Sequence, residues 1–291
     1  PRTALLPELA ANHLAPLLVP GQPVVTQGYI GATEDGLTTT LGRGGSDYSA
    51  ALFGAALGVE EVQIWTDVEG VLTCDPRIVP TAQSIDQLTF SEAAELAAFG
   101  AKVLHPATIQ PAVEAGIPVT VRDTQHPEGR FTTISPDTRS GRAVTALATR
   151  GPVTVLTVNS SRMLNSSGFL ARLFDVFRRH GVSVDLIATA EVSVSLTVEA
   201  DAPLEALLAD LSSFATVVVV QDRAIVAVVG ERIKQTPGVA GRVFTALAGI
   251  NIELISMGAN EINLSLVVPR SAAVETLQRL HRALIEEVPC A

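Results

Sequence analysis

Lysine is nearly missing from this chain: it occurs at Lys102 and Lys234 alone, and no basic run exceeds the pair Arg178–Arg179. With a formal net charge of −10, that scarcity excludes a nucleic-acid partner, because holding phosphate backbones calls for clustered Lys and Arg. Only two cysteines occur, Cys74 and Cys290, far apart in sequence. They suggest no disulfide framework and no metal cluster, so no metal ligand is expected among them, and a reducing cytosol is the expected setting. No stretch reaches the roughly 18 consecutive apolar residues that span a bilayer, so no membrane partner is expected. The first residues lack a basic segment ahead of an apolar one and do not form a signal peptide. They also lack an initiator Met, which raises the expectation of a fragment. What the chain does have is apolar material. Hydrophobic residues make up 47% and charged ones 17% of 291 residues, enough for two or three domains with real cores.

The first part alternates strand and helix patterns. Pro23–Gly31 (PVVTQGYIG) reads as a buried strand, Ser46–Gly58 as an Ala-rich helix and Val62–Thr66 (VQIWT) as a strand. Ser91–Phe99 reads as a helix and Pro118–Arg122 as a strand. Such alternation predicts a mostly parallel α/β sheet with flanking helices. The polar, turn-rich stretch Ser135–Arg142 is the candidate linker. Beyond it the chain repeats itself. VLTVNS at 155–160 and GFLARLF at 168–174 return 70 residues later as IVAVVG and GVAGRVF. VSVDLI at 182–187 then corresponds to INIELI at 250–255, and VSVSL at 192–196 to INLSL at 262–266. Each unit reads strand–helix–strand–strand–helix, with a closing strand only in the first, at Thr216–Gln221. That is the split βαβ arrangement, and the period suits two tandem small domains rather than a solenoid.

Three stretches carry chemistry. TTTLGRGGSD at 38–47 leads into the Ala-rich helix: its glycines let a backbone approach a ligand, Ser46 or Asp47 can cap the helix, and free N–H groups there favour an anion. Arg43 adds a two-pronged partner for carboxylate or phosphate. An ordinary glycine turn with a good cap is the competing reading. Thr66 and Asp67 end a strand ahead of Gly70 and Asp75–Pro76–Arg77, where open α/β sheets bind ligands, although a polar turn would look the same. In FGAKVLHP at 99–106, Lys102 is either a phosphate contact or a snorkelling surface lysine. His105, just before a proline, suits packing or capping better than acid–base work.

Taken in order, QGYIGATEDGLTTTLGRGGSDYSA, WTDVEGVLTCDPR and EAAELAAFGAKVLHPATIQPA resemble the aspartate kinases of the amino-acid-kinase superfamily, and the resemblance continues through the repeats. It implies a partial amino-acid-kinase domain over residues 1–142, then two ferredoxin-like βαββαβ ACT domains over 143–222 and 223–291. The implied activity is transfer of a phosphoryl group from ATP, with Mg²⁺, to the β-carboxylate of L-aspartate. By the same resemblance Asp47 organises the transfer centre, Arg43, Ser46 and Tyr29 contact aspartate, and Thr66, Asp67, Arg77 and Lys102 serve the nucleotide. Leu72 stands where the family has a nucleotide-contacting tyrosine. The family also opens its domain with a Lys-Phe-Gly-Gly phosphate loop, and no such run occurs in this sequence. A chain without it is expected to be catalytically incomplete. The rival from another class is a non-catalytic amino-acid-sensing module.

The repeat region most resembles the lysine-inhibited, single-activity aspartate kinases, notably in SRMLNSSGFL at 161–170. Ser166–Leu170 reads as a helix start whose N–H groups can hold a carboxylate. Asp185 can pair with a cationic side chain, Glu191 is a further acid, and Met163 offers a flexible apolar wall. The resemblance implies an L-lysine site of Met163, Ser166, Gly168, Phe169, Leu170, Val184, Asp185, Thr189 and Glu191, and a homodimer through the ACT domains. Plain ferredoxin-like domains with solvated acids are the alternative, with Asp185 expected to face solvent.

Overall fold

The computed structural model describes residues 6–33, 35–42, 44–100, 106–136, 142–163, 167–258 and 260–287. The chain forms two compact units, Pro1–Ala146 and Leu147–Ala291.

In the first unit, α1 (Leu6–Leu9) runs on through further helical turns to Leu17. An antiparallel ribbon follows, β1 (Ile30–Ala32) with β2 (Thr38–Thr40), and then α2 (Gly45–Leu57). Gly58 ends α2 in the left-handed conformation that suits glycine at a helix end. Gly54 is required where α2 meets β3 (Val62–Thr66), since a Cβ there would lie 2.5 Å from Val62. The remaining strands are β4 (Gln87–Thr89), β5 (Val119–Asp123) and β6 (Phe131–Ser135), in the sheet order β3-β5-β6-β4. β3 is parallel to β5 and β4 to β6, while β5 and β6 are antiparallel. Helix α3 (Phe90–Ala98) starts with a capping box. Thr89 Oγ1 accepts from the Glu92 N–H, and the Glu92 carboxylate accepts from the Thr89 N–H. Helix α4 (Pro106–Glu114) packs on α2.

The expected strand at Pro23–Gly31 forms only at its end. Residues 22–28 have no regular structure, and Val25 is 93% exposed. Apolar content alone does not make a strand, because backbone N–H and C=O groups need a neighbouring ladder. Here β2 supplies only three pairings, at Ile30, Gly31 and Ala32.

The second unit holds one six-stranded sheet in the order β11-β12-β10-β7-β9-β8. Its strands are β7 (Ala146–Asn159), β8 (Ile187–Thr189), β9 (Ser193–Glu199), β10 (Thr216–Val229), β11 (Leu254–Met257) and β12 (Asn263–Pro269). Between them run α5 (Phe169–His180), α6 (Leu204–Ser212), α7 (Val239–Ala246) and α8 (Ala273–His281). Each repeat is strand–helix–strand–strand–helix, as the sequence pattern predicts. The closing strand expected at Thr216–Gln221 is the first half of β10, whose second half opens the next repeat. Thr149 Oγ1 donates to the Ile225 carbonyl at 2.9 Å, tying the first half of β7 to the second repeat. The repeats therefore share one ladder.

Alternation sends Leu156, Val158, Val194, Leu196 and Val198 into a core with Phe169, Leu173, Val176, Leu207 and Leu211 of α5 and α6. The opposite face is dry as well: Val153, Val155, Ile225, Ala227, Val229 and Val267 are at most 5% exposed. β8 and β11, at the two ends of the strand order, approach within 8 Å, so the sheet curls over that face. The apolar strands around Ala224–Val229 and Asn263–Val268 are interior, each paired on both sides.

Candidate functional site

The start of α2 has no side-chain cap. Gly44 is the N-cap, in the left-handed conformation. The expectation that Ser46 or Asp47 caps α2 is therefore corrected: both lie inside its first turn, because the left-handed Gly44 bends the chain one step earlier. Uncapped N–H groups at a helix start attract an anion. Gly42 and Gly44 have positive φ, and the space a Cβ would take at Gly42 is open. Tyr29 also has positive φ, at 72°, a costly conformation for a residue with a side chain that must be held by its surroundings. Its N–H donates to Ser49 Oγ at 3.0 Å, and its carbonyl accepts from the Leu41 N–H at 2.8 Å. Its ring lies so near Gly45 that a Cβ there would meet it at 2.8 Å. Tyr29, Ser46 and Asp47 are thus brought together, with the Tyr29 ring partly exposed. Burial pushes the Asp47 carboxyl above its ordinary value. Arg43 lies outside the described residues.

Helix α2 is followed by β3, with Gly54 against Val62 and the Val59 N–H donating to the Gly54 carbonyl, and β3 has Thr66 at its carboxyl end. At that end Thr66 Oγ1 donates to Asp67 Oδ1 at 3.1 Å, and the Thr66 carbonyl accepts from the Thr124 N–H and hydroxyl. The following segment is a closed loop: Thr73 and Gln83 exchange hydrogen bonds, and the Ile85 N–H donates to the Val71 carbonyl. Buried Thr132 locks it. Its hydroxyl accepts from the Val71 N–H at 2.8 Å and donates to the Ile85 carbonyl at 2.6 Å. At the loop tip Arg77 grips Asp75, Nη2 to Oδ2 at 2.6 Å, and Leu72 forms a single bridge with Ser84. Lys102 and His105 lie outside the described residues.

Glu69, Asp123 and His126 set one ligand atom each within 4.8 Å of one another, and Asp123 is the register partner of Thr66. The hydrogen bond from His126 and the Gln125 N–H hold the Asp123 carboxyl below its ordinary range.

In the second unit the residues implied for lysine fall into two groups. Met163 packs on the edge of the first repeat's core, Phe169 enters that core edge-on to Phe214, and Gly168 caps α5 in the left-handed conformation. Thr189 and Glu191 are exposed at the β8–β9 turn. That turn lies beside the end of β7, where the Ser160 N–H donates to the Val192 carbonyl. Val184 and Asp185 lie at the other end of β8, about 13 Å along the strand from Thr189. Ser166 lies outside the described residues. Leu170 is 39% exposed.

Asp185 does not face solvent freely, as the sequence reading expected. Both Asp185 and Leu186 oppose Thr197: the Asp185 N–H donates to the Thr197 carbonyl, and the Thr197 N–H donates to the Leu186 carbonyl. Two residues against one is a bulge, which re-aims a side chain. The carboxylate turns onto Arg150 of β7, Nη1 to Oδ1 at 3.0 Å, with its side chain 14% exposed. Burial pushes its pKa up, and Arg150 only partly offsets the rise.

The amino acid kinase family matches residues 2–123, and the ACT domain family matches residues 156–209 and 226–284. Lysine-sensitive aspartokinase 3 of Escherichia coli is 46% identical across 98% of this chain. An amino-acid-kinase region followed by ACT repeats is thus similar, along nearly its whole length, to an aspartokinase. The chain spans 65% of the length of that E. coli relative. Two crystal structures of E. coli aspartokinase III show the same fold: one in complex with lysine and aspartate, TM-score 0.82, the other with aspartate and ADP, TM-score 0.83. Both are 46% identical to this chain, over 98% of it and 65% of theirs.

Motif order in the sequence groups Tyr29 with Ser46 and Asp47, and the structure sets Tyr29 against Gly45, next to both in the chain. Motif order did not reveal Thr132, which is 61 residues from Val71, nor Arg150, which is 35 residues from Asp185. Neither sits in a glycine-rich or acidic signature. Arg150 as the one charged residue of β7 was the available signal.

Proposed function

We propose that the protein to which this chain belongs phosphorylates L-aspartate, converting ATP and aspartate to 4-phospho-L-aspartate and ADP, under feedback control by L-lysine. The observation that carries the catalytic part is the start of α2, which no side chain caps, with positive-φ Tyr29 packed against Gly45 of its first turn. Residues 1–142 form part of the kinase domain, and residues 143–222 and 223–291 the two sensing repeats. A β-carboxylate oxygen of aspartate attacks the γ-phosphorus, and the bond to the bridging oxygen of ADP breaks. Little covalent work falls to the protein, so positioning and charge do most of it. Helix N–H groups and Arg43 hold the substrate carboxylate, while Asp47 organises the transfer centre. Thr66, Asp67, Arg77 and Lys102 hold the nucleotide. Asp47 and Asp67 offer the oxygen donors that Mg²⁺ takes, and the ion, when bound, would supply positive charge to offset that of the phosphates.

The sequence holds no Lys-Phe-Gly-Gly run, so the 291-residue chain alone should release ADP from ATP and aspartate only at background rate. A coupled ADP assay checks this, and robust turnover would refute the incomplete-site argument. Lysine binding by the same inactive chain would then support the sensing module as what it does by itself.

The protein pairs with a second copy through the sensing repeats. Among the described residues, Ile187 on β8 and Ile255 and Met257 on β11 are 40–45% exposed on the edge strands of the curled sheet. Exposed edges of this kind favour pairing. Sedimentation should give a dimer at micromolar concentration, and Ile187→Lys with Ile255→Lys should shift it to monomer. A wild-type monomer counts against the idea.

A further inference from the structure

Both repeats clasp an acid at the equivalent place, Asp185 and Glu253, with an arginine from the repeat's first strand, the two arginines three residues apart in register. In the first, the bulge of Asp185 and Leu186 opposite Thr197 is gripped by Arg150. In the second, the Glu253 N–H donates to the carbonyl of Val267, which also partners Leu254, and Arg223 Nε grips Glu253 at 2.7 Å. As a fold-stabilising device the clasps are alike. They differ in what is left over. Asp185 Oδ2 is buried and has no hydrogen-bond partner among the described residues, whereas Glu253 has no such orphaned oxygen there. A buried carboxylate oxygen without a donor is costly and marks a place for one. Arg150 also contacts the Glu199 carboxylate, so it is anchored from a second strand, while Arg223 turns instead to the carbonyls of Gln221 and Asp222.

We propose that Arg150 is a positioning residue of the amino-acid site: anchored by Glu199, it takes Asp185 Oδ1 and leaves Oδ2 to receive the ligand's ammonium. The inference rests on the lysine reading and deepens it. Arg150 of β7 is the charged group that faces Asp185, and Glu199 of β9 lies on its far side. Arg150 therefore does two things. It fixes which oxygen is free, and it keeps the half-buried carboxylate ionised against the pull of burial, so that a cation finds a charge and not an acid. Arg223 has no such role, because Glu253 lacks the orphaned oxygen.

The test is calorimetry with L-lysine on the 291-residue chain as wild type, Arg150→Gln, Arg150→Lys and Arg223→Gln, repeated from pH 5 to 8. Asp185 is titrated in parallel by carboxyl NMR without ligand. Arg150→Gln should weaken lysine about tenfold or more, move the acid limb of binding to higher pH, and raise the Asp185 titration. Arg150→Lys should recover most of the affinity, and Arg223→Gln should leave it unchanged. Equal or tighter binding by Arg150→Gln overturns the inference, the tighter case making Arg150 a competitor of the ligand. An equal loss in Arg223→Gln overturns it too, reducing both clasps to structure. A wild-type chain that binds no lysine overturns the lysine reading and this inference with it.

Discussion

Asp185→Ala is expected to weaken L-lysine binding by roughly tenfold to a thousandfold, given about 1.4 kcal/mol per decade and a few kcal/mol for a desolvated charge pair that loses one partner. The carboxylate is half-buried, one oxygen is held by Arg150 and the other has no donor. An incoming ammonium would satisfy that oxygen, so the ligand gains there what an exposed acid would not offer. The fold should survive the change, because Arg150 keeps Glu199 as its partner. The sign of the pH dependence follows from the raised pKa of Asp185. The cation needs the ionised form, so affinity holds at neutral pH and falls as pH drops through a value above the ordinary 3.8. Calorimetry with lysine, threonine and methionine checks both points. Preference for threonine, or unchanged lysine affinity in Asp185→Ala, sinks the assignment.

Gly70→Ala should be the most damaging small change in the first unit. Gly70 has φ 114°, and a Cβ there would lie 2.4 Å from Thr132 Oγ1 and 2.9 Å from the Thr132 backbone nitrogen. Thr132 is fully buried and is committed to both Val71 and Ile85, so neither atom can step aside cheaply. Strained backbone and overpacking each cost about 1–3 kcal/mol, so a loss of about 2–6 kcal/mol is expected. For a unit of this size that lowers Tm by roughly 5–15 °C. Thermal unfolding followed by circular dichroism checks it, with Gly36→Ala as the control. Gly36 also has positive φ but nothing within 4 Å of its Cβ position, so it carries the backbone strain without the clash. Equal shifts in the two variants would show that Thr132 does not pin this loop.

Much of this was legible beforehand, for identifiable reasons. The helix at Gly45–Leu57, the capped helix after Thr89 and the strand at Val62–Thr66 are local events, set by glycine, capping side chains and short-range pattern. The repeat was legible because equivalent apolar positions recur at a fixed interval. Tyr29, Ser46 and Asp47 were placed together by motif order. What failed was non-local. The apolar run at Pro23–Gly31 predicted burial, yet a ladder partner exists for only its last residues. Asp185 looked like an exposed acid until the bulge opposite Thr197 turned it toward Arg150.

The division between the two is physical. Local sequence determined the elements and the two-fold repetition, because propensity, capping and periodicity act within a few residues. Tertiary structure alone decided that the repeats share β7 and β10 in one curled sheet, that Thr132 bolts the loop after β3, and that Arg150 reaches Asp185. Those contacts join residues tens of positions apart, and a hydrogen bond or ion pair between them depends on distance in space, which no short stretch of sequence encodes.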